Sequence, residues 1–160
     1  EQDQLIPNYK KELSLLFHQA IINLPEDQMS ILKNGMERDE NNEINSIDIK
    51  KNQPVEITWS ETQKVNKIRL VFDSNLKDRK HIPCTILKQP EIKFLYEHLP
   101  KQIIVKTLNS SNRWENHSEV NQNYKRLLEI PICKDTLGVQ ICITETWGNE
   151  VSKVFTIEPS

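Results

Sequence analysis

At 160 residues and 18.8 kDa the chain has the size of one domain and can bury a core without disulfides. Its mean hydropathy is -0.62, yet the apolar residues are gathered in short blocks, as in a folded protein with generous solvated loops. A net charge of -2 leaves no basic field to hold a phosphate backbone, and no apolar run nears the roughly 20 residues of a bilayer span, so neither nucleic acid nor membrane is expected as a partner.

The chain starts at Glu1 with neither a methionine nor a signal-peptide core, the start expected of an excised domain or a C-terminal portion. Leu13, Leu16 and Phe17 lie at helical spacing, and Pro7 and Asn8 suit a helix start, which predicts a short helix over Asn8–Gln19. An extended Ala20–Leu24 follows and ends at Pro25. From Met29 to Asn45 turn formers and charges dominate, predicting a long loop with room for one helical turn.

Strand signals then recur. Ile47 and Ile49 alternate with polar neighbours, as do Val55, Ile57 and Trp59, and Ile68, Leu70 and Phe72 repeat the period. Ile103 and Val105, Trp114 and Val120, Leu127 to Ile130, Val139 to Ile143, and Val154 to Ile157 continue it. Turn chemistry separates the runs at Asn109–Asn112, at Lys134-Asp135 and at Gly148-Asn149. Many short strands after one helix predict an all-β jelly-roll sandwich. Three glycines in the whole chain leave no glycine-rich phosphate loop.

Chemical motifs are sparse. Cys84, Cys133 and Cys142 are odd in number and widely spaced, unlike a zinc ribbon or a disulfide framework. Cys133 and Cys142 sit in apolar blocks and read as buried thiols, with a bridge open to them if their strands pair. The histidines, His18, His81, His98 and His117, form no ligand pair, and nothing in the sequence positions a Cys84–His98 couple, so catalysis by this chain is not expected.

The block Pro54–Trp59 leading into Val65–Leu76, the ending Tyr124–Ile130, Leu137–Asn149 and Ser152–Ile157, and the opening Ile6–Asn8 with Leu16–Ala20 together resemble galactose-binding-like (discoidin-type) jelly rolls. They are most similar to the C-terminal sandwich of bacterial FAD-dependent oxidoreductases. The resemblance implies a joining segment with a short helix over 1–18 and a galactose-binding-like β-sandwich over 19–160. It implies a non-catalytic accessory domain, extracytoplasmic, with FAD and the enzyme body upstream. Relatives often hold calcium through an Asp-Gly turn and an acid on the last strand. Here Asn34-Gly35 and Thr156 stand at those places, which leaves Asp39, Glu40 and Glu158 as the substitutes.

By the same resemblance, ligand contacts fall on the loops 73–100 and 146–150. Arg79, His81, Trp147 and Asn149 have the chemistry for a glycan there: an indole face for the sugar ring, and planar or charged donors for its hydroxyls. The plain alternative makes Arg79 and His81 solvated loop residues and Trp147 a cover for one end of the core. Trp59 and Trp114 read as core. Phe94-Leu95-Tyr96 reads as packing under its own loop or docking on the enzyme body. Carbohydrate binding or substrate targeting is the preferred function, and a structural domain that docks on its parent enzyme is the alternative.

Overall fold

The computed structural model describes residues 10–39, 43–74 and 96–160. They hold α1 (Leu15–His18), β1 (Ile21–Ile22), α2 (Glu26–Leu32), β2 (Ile47–Lys50), β3 (Val55–Phe72), β4 (Pro100–Leu108), β5 (Trp114–Val120), β6 (Leu127–Thr146) and β7 (Val151–Pro159). The strands join antiparallel in the order β2-β7-β3-β6-β4-β5, with β1 beside β3.

Two long strands build the sandwich. β3 runs 18 residues and β6 runs 20. They pair from Val55 with Ile141 to Val71 with Leu127, with register shifts between Thr58 and Gln63 and between Val65 and Lys67. Before the shifts, β3 has β1 on its other side and β6 has β4. After them, β3 has β7, which continues to β2. The β3–β6 ribbon therefore passes from one layer, β1-β3-β6-β4-β5, into the other, β2-β7-β3-β6. Bulges let it bend.

The alternation read from the sequence sets what lies between the layers. Ile57, Trp59, Ile103, Val105, Val139 and Ile141 from the first layer share one buried cluster with Ile68, Leu70, Phe72, Val154 and Ile157 from the second. Each such side chain contributes about 1.5–3 kcal/mol on burial. The all-β sandwich expected from the alternation is the fold observed.

Local expectations need correcting in four places. The N-terminal helix spans only Leu15–His18 instead of Asn8–Gln19, because tertiary partners take the preceding N–H groups: Lys11 N donates to Gly35 O at 2.9 Å and Ser14 N to Glu158 Oε1 at 3.0 Å. Ser14 caps the helix by accepting from Phe17 N at 3.2 Å, and its own hydroxyl donates to Pro159 O at 2.6 Å. Part of the expected loop after Pro25 is α2, which places Glu26 and Asp27 at its positive end and buries Leu32. The Lys134-Asp135 turn is instead strand, paired with Val65 and Lys64.

The fourth concerns the cysteines. Cys133 is exposed because Ile130 and Ile132 occupy the inner face and its φ of 50° marks a break in the ladder. Cys142 is half-buried between the inward Ile141 and Ile143, and burial pushes its thiol pKa up against the pull of nearby Lys106. Both are free thiols on one strand, so no bridge joins them. Cys84 lies outside the described residues.

Candidate ligand site at the loop end

The segment before β4 and the turn between β6 and β7 meet at one end of the sandwich, and backbone bonds lock them together. Trp147 N donates to Leu99 O at 3.1 Å and Asn149 N to Glu97 O at 3.1 Å. Gly148 takes part: a Cβ there would stand 3.2 Å from Glu97 Cγ. Across this seam Asn149, His98 and Tyr96 line up.

The bonds of His98 decide its tautomer. Nδ1 lies 2.8 Å from Val151 O, and since a carbonyl only accepts, Nδ1 carries the proton. Nε2 is then the acceptor, 3.2 Å from Asn149 Nδ2. The orientation of Asn149 agrees, because its Oδ1 accepts from Val151 N at 3.2 Å. One N–H of the Asn149 amide is left over for an outside partner. Tyr96 stacks beside the imidazole, with 5.0 Å between ring centroids and 47° between planes. Burial pushes the Tyr96 phenol pKa up. The negative charges of Asp73, Asp48 and Asp39, and a hydrogen bond with Asp73, push the same way. The phenol therefore keeps its proton at neutral pH. The set is neutral and hydrogen-bonding, suited to hydroxyl groups.

Trp147 is half-buried rather than exposed on its turn. Its Nε1 donates to Asn123 O at 2.6 Å, Lys101 Nζ lies 5.6 Å from the ring centroid, and the indole packs against the core cluster. Asn123 is itself fixed, its amide donating to Pro100 O at 2.9 Å and to Lys125 O at 3.1 Å. Of the four residues expected at the site, Trp147 and Asn149 share this turn, with the side chain of one directed to Asn123 and that of the other to His98. Arg79 and His81 lie outside the described residues, as do Phe94 and Leu95 of the apolar patch. The sequence reading missed Tyr96, His98 and Asn123 as companions, and only the Tyr-x-His spacing could have hinted at the first two.

The calcium substitutes have other partners. Glu158 accepts from Lys11 Nζ and from Ser14 N, and Arg69 Nη1 stands 3.9 Å away. Asn34 Oδ1 accepts from Met36 N at 2.7 Å and Asp39 Oδ1 from Asn45 N at 2.8 Å. A carboxylate already opposed by an ammonium and a guanidinium does not fit a calcium ion. Glu40 lies outside the described residues. Among those described, no three His, Cys, Asp or Glu side chains gather as metal ligands.

No family model matches the chain, and no curated protein does. Solved structures are similar to it in fold. The family 32 carbohydrate-binding module from Streptococcus pneumoniae EndoD has a TM-score of 0.59 at 11% identity, over 88% of this chain and 94% of that one. GH31 CBM32-2 bound to GalNAc has a TM-score of 0.62 at 8% identity, over 88% and 95%. The family 32 module from C. perfringens NanJ in complex with galactose has a TM-score of 0.55 at 11% identity, over 88% and 90%. The likeness extends over nearly the whole of each module: the chain has the galactose-binding-like, discoidin-type β-sandwich fold of these family 32 modules.

Proposed function

We propose that this chain is a non-catalytic carbohydrate-binding accessory domain of a larger bacterial protein, and that its ligand site is the loop end where the 146–150 turn meets Tyr96–Leu99. One observation carries the reading: Asn149, His98 and Tyr96 form a neutral, pre-oriented hydrogen-bonding row with a spare amide N–H, beside the half-buried indole of Trp147. That is the chemistry a sugar hydroxyl needs, and it sits at the connecting-loop end of the sandwich. Arg79 and His81 belong to the same proposal as further donors. Galactose and GalNAc, bound by two of the similar modules, are the first ligands to try.

The test is titration calorimetry with galactose, GalNAc and galactose-ended oligosaccharides. Asn149→Ala should weaken binding roughly tenfold, the worth of one or two hydrogen bonds, and His98→Ala should do the same. Trp147→Phe keeps the ring and tests the N–H alone. If a broad glycan array retains none of its sugars on the wild-type domain, the reading is wrong and the domain is a structural one that docks on its parent.

The parent belongs to the proposal too. Its being an extracytoplasmic FAD-dependent oxidoreductase is supported by the strand sequences alone, and flavin absorbance of the full natural protein tests it.

A further inference from the structure

The three tryptophans differ in one respect. Trp59 Nε1 donates to Leu16 O at 2.9 Å and Trp147 Nε1 to Asn123 O at 2.6 Å, whereas the indole N–H of Trp114 has no hydrogen-bond partner among the described residues. Trp114 also does not enter the buried core. It lies half-exposed on the outer face of the β1-β3-β6-β4-β5 layer.

The register shows what surrounds it. Ile21 pairs with Thr58, Thr58 with Gly138, Gly138 with Leu108, and Leu108 with Trp114. These five residues make one row across five strands, roughly 19 Å long at about 4.8 Å per strand. Their neighbours Ile22, Ile57, Val139 and Thr107 are buried, so the row faces outward. Ile21 is 65% exposed at one end. In the middle, Gly138 keeps the surface low enough for the indole to lie over it: Trp114 Cη2 is 3.2 Å from where a glycine Cβ would stand.

Two residues along each strand, about 7 Å away, a second row runs parallel. It comprises Glu56, Gln140, Lys106 and Asn116, again paired in sequence across the strands. Gln140 Nε2 donates to Glu56 Oε1 at 2.8 Å. Lys106 has no hydrogen bond or ion pair among the described residues and stands between the amides of Gln140 and Asn116. Glu119, further along β5, accepts from Gln102 at 2.6 Å. Glu56 is two strands from Lys106, about 10 Å, which is about one screening length at 0.1 M salt.

We propose that this outer sheet face is a second glycan-binding surface, distinct from the loop end, and that its occupant is an extended acidic polysaccharide carrying uronate carboxylates. The apolar row offers an indole face and aliphatic surface to the C–H side of sugar rings. The parallel polar row offers donors to their hydroxyls. The charge of the occupant follows from Lys106, an ammonium with three donors and no carboxylate of its own, next to the indole that would hold the ring.

The test uses the whole domain with de-esterified polygalacturonate and, separately, neutral galactan of similar length, in affinity electrophoresis at low and high salt. The wild type should be retarded by polygalacturonate, less so at high salt. Lys106→Gln should lose about tenfold in affinity together with most of the salt dependence, while its melting temperature stays unchanged. Trp114→Ala should also lose binding, and because it could unfold the edge strand, Asn116→Ala serves as a second, exposed variant. Asn149→Ala at the loop end should bind polygalacturonate normally, which separates this surface from the other site. The proposal is overturned if polygalacturonate does not retard the wild type, if galactan retards it equally, if Lys106→Gln or Asn116→Ala binds as well as wild type, or if Asn149→Ala abolishes the effect. A concentration-dependent dimer dispersed by Trp114→Ala would assign the face to a second copy instead, and would equally overturn it.

Discussion

Gly138 shows how one residue sets a surface. A Cβ there would stand 2.9 Å from Ile57 O, 2.9 Å from Thr58 Cγ2 and 3.2 Å from Trp114 Cη2. The first of these is backbone in the ladder and cannot turn aside. Gly138→Ala should therefore destabilise the domain by about 1–3 kcal/mol, the cost of overpacking, read by urea unfolding, and should raise the exposure of Trp114 to an aqueous quencher. None of this can be read in the string of letters, where Gly138 looks like part of a turn near Lys134-Asp135. The same holds for the tryptophans: three indoles in a sequence look alike until Leu16, Asn123 and Gly138, all remote in the chain, are brought up to them. The aromatic at the loop end was legible as a residue of interest, but the burial of half its surface was not, because the carbonyl that fixes it lies 24 positions earlier.

Elements were legible where side chains alternate without interruption. Val55, Ile57 and Trp59 in β3, and Val139, Ile141 and Ile143 in β6, have their inner faces where period two puts them. What alternation could not show is that runs separated by polar residues are single strands. Ser60, Glu61 and Thr62 are exposed where β3 bends, and Lys134 and Asp135 are exposed in β6, so each stretch has a loop's composition with a strand's backbone. α2 was hidden for a related reason, since it buries Leu32 alone and shows no apolar stripe.

The link between α2's following loop and the sheet has a pH signature. Arg69 on β3 bonds both carboxylate oxygens of Glu37, one of them at 2.8 Å. Burial alone would raise the Glu37 pKa, but the Arg69 hydrogen bond and charge, with Lys11 and Arg126, outweigh it and hold the carboxyl below the usual value. A depressed folded pKa means stability that is fully present above about 4.3, the unfolded glutamate value, and is lost as pH falls through the folded one. Melting temperature should accordingly drop on acidification below about pH 4, and Glu37→Gln should flatten that part of the profile while lowering the plateau above it. A wild-type profile parallel to that of Glu37→Gln would show the pair to be idle.

At the scale of the molecule, the sandwich is one cooperative body because its central ribbon belongs to both layers and one buried cluster runs between them. The loops at its end are where a ligand site is proposed, and the outer face of the broader layer is where a second one is. Removing residues 151–160 should abolish the cooperative thermal transition altogether, since Val154, Phe155 and Ile157 leave the core and both β2 and β3 lose a partner. A sharp melt in the truncated chain, by circular dichroism, would refute this.

The place of β7 also bears on biosynthesis. The strand that lies between β2 and β3 comes after them by some eighty residues and more. As a ribosome makes the chain, β2 and β3 emerge with an open slot between them, their edges free to pair with another nascent copy. Only when Val151–Pro159 has been translated can the slot fill. This domain is thus bound to fold late, after its last strand is made.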